Sequence, residues 1–200
     1  MFDETVCLTE GCTDPCTDGQ RFCCRCLSEN ERERLHTVVI EELHASSVWE
    51  NRNFSLMSFR NEDFSEKLIF ASSFYGVIFE NCRFDRSRFF ACFFEKAVFI
   101  NCSFKETESK YNIVGNSTIQ NTSFAGSDIL FSNFIGALIE NTDFSETDLY
   151  SSTFFRARLK QVNFSNCNLK KTDFRATKQE SVLFRYSNYE EAFFDGGSVL

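Results

Sequence analysis

Residues 80–104 read ENCRFDRSRFFACFFEKAVFINCSF, and phenylalanine returns at every fifth place: Phe84, Phe89, Phe94, Phe99 and Phe104. Two places before each stands a small residue: Cys82, Ser87, Cys92, Ala97 and Cys102. A helix repeats every 3.6 residues and a strand every 2, so neither produces this pattern. One large apolar side chain and one small one turn inward in each five. That describes a narrow tube whose chain turns a corner every five residues.

The register extends both ways from this stretch. Upstream it passes through Phe79, Phe74, Ile69, Phe64 and Phe59 to Phe54. Downstream it runs from Val114 through Phe124, Phe134, Phe144, Phe154, Phe164, Phe174 and Phe184 to Tyr189, Phe194 and Val199. Of the thirty such positions between 54 and 199, only Ser109 and Gln179 are not apolar. The 26 Phe against one Pro and one Trp in 200 residues are the compositional trace of one repeated position. The segment 107–115, with Ser109 at a centre and Asn112 at the small position, is the weakest coil; because the register survives it, a distorted coil is expected there and not an inserted loop.

This pattern resembles the pentapeptide-repeat family over roughly residues 49–200. The resemblance implies an all-β solenoid, a right-handed quadrilateral parallel β-helix with four pentapeptides per coil. Thirty units then make about seven coils, a tube of roughly 35 Å at the ~4.8 Å strand spacing. A period of 20 is visible in Asn61, Asn81, Asn101, Asn121 and Asn141, which predict an amide ladder along one corner. Phe64, Phe84, Phe104, Phe124, Phe144, Phe164 and Phe184 predict one unbroken interior column.

A solenoid exposes a hydrophobic section at each end and needs caps. Ser28-Glu29-Asn30-Glu31 fits a capping box, and Leu35, Val38, Val39 and Leu43 follow helical spacing, so 29–45 is expected as an amphipathic helix over the first coil. His36 and His44 lie on it and read as surface residues. The organisation is therefore a Cys-rich segment 1–27, a helical N-cap 28–48 and a repeat domain 49–200. At the far end Phe184, Tyr186, Tyr189, Phe193 and Phe194 make an aromatic last coil, and an end-to-end homodimer through 182–200 is expected.

The cysteines divide into two groups. Cys82, Cys92, Cys102 and Cys167 sit at the small position of a repeat and read as packing. Cys7, Cys12, Cys16, Cys23, Cys24 and Cys26 crowd ahead of the helix with one C-x2-C, and without a secretory context such density points to metal. Structural zinc takes four tetrahedral thiolates, here Cys12, Cys16, Cys23 and Cys26, with Cys7 or Cys24 as substitute; an iron–sulfur cluster, disulfides and a metal- or redox-responsive role stay open.

The net charge of -8 disfavours general nucleic-acid binding, although residues 156–185 alone carry +6. No apolar run approaches the ~18–20 residues of a membrane span, and the start lacks a signal-like n-region and apolar stretch, so a cytoplasmic protein is expected. There is no phosphate-binding glycine loop, GxSxG or HExxH motif, and a tube filled with Phe is expected to hold no cavity. Catalysis, a small-molecule substrate and any cofactor besides structural zinc are not expected. What remains is surface. Phe70, Phe90, Leu130 and Tyr150 share one outward column, Tyr75, Ile135 and Phe155 another, with Ile78, Val98 and Leu138 beside it, and these are the candidate protein-binding stripes. The units CRF (82–84) and CSF (102–104) also look like those of the quinolone-resistance branch. That resemblance implies an acidic DNA mimic binding type II topoisomerase, although the branch's projecting loops are missing here and the +6 stretch breaks the acidic rod.

Overall fold

The computed structural model describes residues 5–195. One helix, α1 (Glu29–Ala45), precedes a parallel β-solenoid of about seven coils. Its strands are three residues long. On one side β1 (Val48–Glu50), β3 (Leu68–Phe70), β5 (Arg88–Phe90), β7 (Glu108–Lys110) and β9 (Asp128–Leu130) stack into a five-stranded sheet. On another, β2 (Ser58–Arg60), β4 (Ile78–Glu80), β6 (Val98–Ile100), β8 (Thr118–Gln120), β10 (Leu138–Glu140), β11 (Arg158–Lys160) and β12 (Lys178–Glu180) stack into a seven-stranded sheet. Partners are 20 residues apart, as in Phe59↔Phe79 and Ile69↔Phe89. The other two sides are columns of single bridges through Asn53↔Ser73↔Phe93 and Asp63↔Arg83↔Ser103. The square coil of four pentapeptides is therefore realised.

Each corner is made by the residue two places after a centre, which lies in the left-handed region; Asn61, Asn81, Asn101, Asn121 and Asn141 have φ between 49° and 59°. Asparagine tolerates that region better than most residues. The same residues form the expected ladder: Asn81 Nδ2 donates to Asn61 Oδ1 at 3.0 Å, and the bond recurs up to Asn141 and Asn121 at 3.3 Å.

The interior holds the large side chains at every fifth position. Phe84, Phe104, Phe124 and Phe144 stack with centroids 4.6–4.9 Å apart and planes within 13°. Rings in neighbouring columns meet edge to face, as Phe99 and Phe104 do at 78°, and so do rings facing each other across the lumen, as Phe144 and Phe154 do at 86°. The small position does more than leave room. Ser87, Ser127, Ser152 and Thr172 each donate to a main-chain carbonyl 23 residues earlier, Phe64, Phe104, Ile129 and Leu149, at 2.7–2.9 Å. A hydroxyl there satisfies a buried acceptor that a methyl group would leave bare.

The weak coil keeps its pairing, Phe89↔Ser109↔Ile129, so neither a loop nor a distorted strand appears. Asn112 is self-contained: its Nδ2 donates to Ser109 Oγ at 2.7 Å and to Phe89 O at 3.3 Å, and its Oδ1 accepts from Cys92 N at 2.8 Å. The expectation of a completely filled lumen fails at this point. Ser109 and Val114 replace two rings, and a cavity of about 30 Å³ opens among Phe89, Phe104, Ser109, Asn112, Val114 and Phe134.

The cap begins as predicted. Ser28 Oγ accepts from Glu31 N, and Glu31 Oε2 accepts from Ser28 N at 2.9 Å. Val39 and Leu43 are buried against the first coil and Leu35 partly so, but Val38 points to solvent, off the apolar stripe. The first coil also has no small residue at the small position, which holds Met57 and three charged side chains, Arg52, Glu62 and Lys67. The three charged side chains reach up into the cap. Arg52 holds Glu42 at 2.8 Å, Glu62 lies 2.8 Å from His44 Nε2, and Lys67 Nζ donates to Ser46 O at 2.7 Å. His44 also stacks on Phe64 and His36 lies over Phe59, so the two histidines serve the cap contact and are not idle surface residues.

Candidate functional sites: the cysteine cluster and the aromatic corner

Residues 5–27 form no regular element beyond an antiparallel bridge, Val6↔Pro15. That bridge reverses the chain. Cys7 N donates to Asp14 O at 3.0 Å and Cys16 N to Thr5 O at 2.8 Å, which carries Cys7 back toward the C-x2-C pair. The turn at 23–27 is closed by Cys26 N to Cys23 O at 2.9 Å. As a result the Sγ atoms of Cys7, Cys12, Cys23 and Cys26 all lie within 4.8 Å of one another. Cys7 therefore takes the place that spacing gave to Cys16, which is fully buried outside the quartet. Cys24 turns away, 3.3 Å from Thr17 Oγ1, and joins the main core. Spacing along a line cannot reveal a chain reversal, and this one rests on a single bridge.

The donor set fits a soft tetrahedral cation. With Zn–S bonds of about 2.3 Å a tetrahedron has edges of about 3.8 Å, and Cys12 Sγ lies 3.8 Å from Cys23 Sγ. The structure joins none of the ten cysteines in a disulfide. Their acidities differ. The side-chain hydrogen bond with Thr9 brings Cys7 down to about 6, whereas burial pushes Cys23 up to about 12. Cys12 also stays above its ordinary value, the main-chain groups of Asp14 offsetting only part of the rise caused by burial and the neighbouring thiols. A cation would remove the remaining protons.

The second site is on the rod's outside. Along the first predicted stripe, Phe90 is 49% exposed while Phe70, Leu130 and Tyr150 are half-buried. In the other, Tyr75 lies under Lys96 and Phe155 under Arg156, each with the cation 5.0 Å from the ring centre, leaving Ile135 the more open member. Ile78 and Leu138 are exposed on the broad sheet and Val98 is half-buried. Two aromatic residues absent from both stripes complete the first: Tyr111, 53% exposed, and Phe131, 41% exposed. Phe90 meets Tyr111 edge-on at 5.5 Å, Tyr111 stacks on Phe131 at 5.2 Å, and Phe131 meets Tyr150 edge-on at 5.5 Å. Both new members sit at corners, with φ of 58° and 52°. Bulky side chains are rare in that conformation. The ring faces are occupied by one another, so what the corner offers is a row of apolar edges.

At the far end Phe184, Tyr189 and Phe194 are partly buried, Phe193 is half-exposed and Tyr186 projects into solvent. Residues 196–200, with Val199 and the rest of the expected dimer end, lie outside the described residues. Among the described residues no helix is long and apolar enough to cross a membrane.

Residues 131–170 and 152–178 match the family model for pentapeptide repeats, in eight copies. No curated protein matches the sequence. Similar solved structures include a trypsin-treated form of QnrB1, a plasmid-mediated fluoroquinolone resistance protein, at 16% identity over 74% of this chain and 84% of that one, TM-score 0.34. Another is the pentapeptide repeat protein Rfr23 from the cyanobacterium Cyanothece 51142, at 11% identity over 74% and 99%, TM-score 0.39. A third is HetL, involved in heterocyst differentiation regulation in Nostoc sp. strain PCC 7120, at 9% identity over 82% and 98%, TM-score 0.26.

Proposed function

The chain carries pentapeptide repeats, and from that premise we propose that it is a non-catalytic interaction module whose rod presents the corner Phe90–Tyr111–Phe131–Tyr150 to a protein partner. The observation that supports this is two exposed aromatic residues kept in left-handed backbone. The fold imposes that backbone at every corner, and where the same column elsewhere carries Asn51, Ala71, Ala91 and Ser151 these two positions carry large rings; their mutual stacking returns about 0.5–1.5 kcal/mol and still leaves apolar edges in water. The flanking Phe70 and Leu130 belong to the same face; Tyr75, Ile135 and Phe155 form a lesser one. Affinity capture with the native chain and with Tyr111→Asn/Phe131→Asn tests it. Loss of a captured protein in the variant, with unchanged melting, supports the reading; the same partners on both chains defeat it.

The cysteine quartet is read as a structural zinc centre, since four protein sulfurs leave no coordination place for substrate. Metal analysis separates it from an iron–sulfur cluster and from disulfides. The exposed aromatic residues of the last described coil support an end-to-end homodimer through 182–200, and a monomeric mass in light scattering at micromolar concentration would remove it. A topoisomerase-directed DNA mimic is the second reading. In its favour, four of the eight basic side chains in 156–185 are ion-paired: Lys160 with Glu140, Lys170 with Glu190, Lys171 with Glu191 and Arg175 with Asp173. That blunts the positive break in an acidic rod. A gyrase supercoiling assay with and without a fluoroquinolone decides it, and no effect excludes the role.

A further inference from the structure

The lowest coil of a solenoid has main-chain groups aimed at a coil that does not exist. In the stack above, the pattern on one side is regular: Phe54 N donates to Ser73 O at 2.8 Å, Phe74 N to Phe93 O at 2.7 Å, and Ser73 N to Arg52 O at 2.8 Å. Continued downward by one coil, it leaves Asn53 N, Asn53 O and Ser55 O to be satisfied. Asp18 and Thr17 take those places. Asp18 N donates to Asn53 O at 2.9 Å, Asp18 Oδ2 accepts from Asn53 N at 2.8 Å, and Thr17 Oγ1 donates to Ser55 O at 3.1 Å. Arg52 Nε holds the same carboxylate oxygen at 2.9 Å. Two residues thus imitate a missing coil.

Among the described residues no helix or strand carries those two residues. They lie in the loop between Cys12 and Cys23, inside a segment with one isolated bridge and a small core of Cys7, Cys16 and Cys23. Both ends of that loop enter the sulfur quartet. We infer that a thiophilic divalent cation at Cys7, Cys12, Cys23 and Cys26 is a clasp that holds Asp18 and Thr17 on the open edge of the first coil, so that metal loading controls whether that edge is covered. This rests on the zinc reading of the quartet and adds what the metal does. An uncovered parallel edge offers free N–H and C=O groups to any extended chain, so loss of metal exposes a pairing surface.

The test uses the full chain loaded with Zn(II) or Co(II), with amide hydrogen exchange read residue by residue. The loaded protein should hold one metal per chain, with the d–d bands of tetrahedral thiolate ligation for cobalt. Chelation should speed exchange at Asp18 and Asn53 by about tenfold or more, while the amides of Phe144 and Phe154 stay protected. Asp18→Ala should keep the metal and still expose Asn53; Cys12→Ser should lose both. A chain that takes up neither metal overturns the zinc reading. Stoichiometric metal with Asn53 exchange indifferent to chelation overturns the clasp alone, and so does loss of protection in every coil at once.

Discussion

At the scale of the residue, the interior depends on filling five-residue positions and satisfying the carbonyls beside them. Ser109 and Asn112 break the first condition and keep the second, because Asn112 Nδ2 donates to Phe89 O as well as to Ser109 Oγ. Ser109→Ile with Asn112→Ser restores the ordinary unit and closes the cavity, and should raise stability by about 1 kcal/mol. Ser109→Ile alone strips a partner from Asn112 and should return less, so a double-mutant cycle in urea should be non-additive. The buried thiols give a pH signature. Burial pushes Cys92 and Cys102 up to about 12, from an ordinary 9.0. The folded chain then keeps protons that the unfolded chain sheds near 9. That contribution is complete below about 9 and is lost as pH rises through 12. Melting temperature should fall across this window, and Cys92→Ala/Cys102→Ala, which matches Ala97 at the same position, should flatten the fall; an unchanged slope counts against the assignment.

Elements show where sequence was legible and where it was not. The five-residue register, the asparagine ladder and the helix 29–45 follow from local patterns repeated many times, so each could be read directly. Tyr111 and Phe131 escaped because they stand one place beyond the outward stripe. They occupy the corner position two places after a centre, the same position as the asparagine ladder, and that position is left-handed in every coil. Cys7 stood only as a substitute for Cys16 because its place depends on one chain reversal, and Asp18 escaped because its role is to imitate an absent coil. Arg52, Glu62 and Lys67 were visible as exceptions to the small-residue rule, and their meaning came only with the helix above them. Arg52→Ser obeys the repeat and should nonetheless destabilise the cap by about 1 kcal/mol, since it releases Glu42 and Asp18; denaturation followed by Trp49 fluorescence reads this. At the corner, Tyr111→Asn/Phe131→Asn relieves two left-handed aromatics and loses a stacked pair worth about 0.5–1.5 kcal/mol. The melting temperature should therefore move by no more than about 5 °C, and a collapse of the fold would show the rings to be structural.

For the whole molecule, contacts run only between neighbouring coils, so stability should be close to a sum over coils and their interfaces. Length can then change in steps of 20 residues and in no other. Such a rod supplies rigid spacing, and its chemistry is confined to its cap and its outer corners. Thermal unfolding of the chain lacking residues 134–153, compared with one lacking 134–143, tests this most directly. The first deletion joins Asn133 to Phe154 in register and should give a shorter rod that melts cooperatively at a somewhat lower temperature. The second joins opposite sides of the square and should not fold. A ten-residue deletion that melts like the native chain, or a twenty-residue deletion that does not fold, would contradict the square coil on which the rest is built.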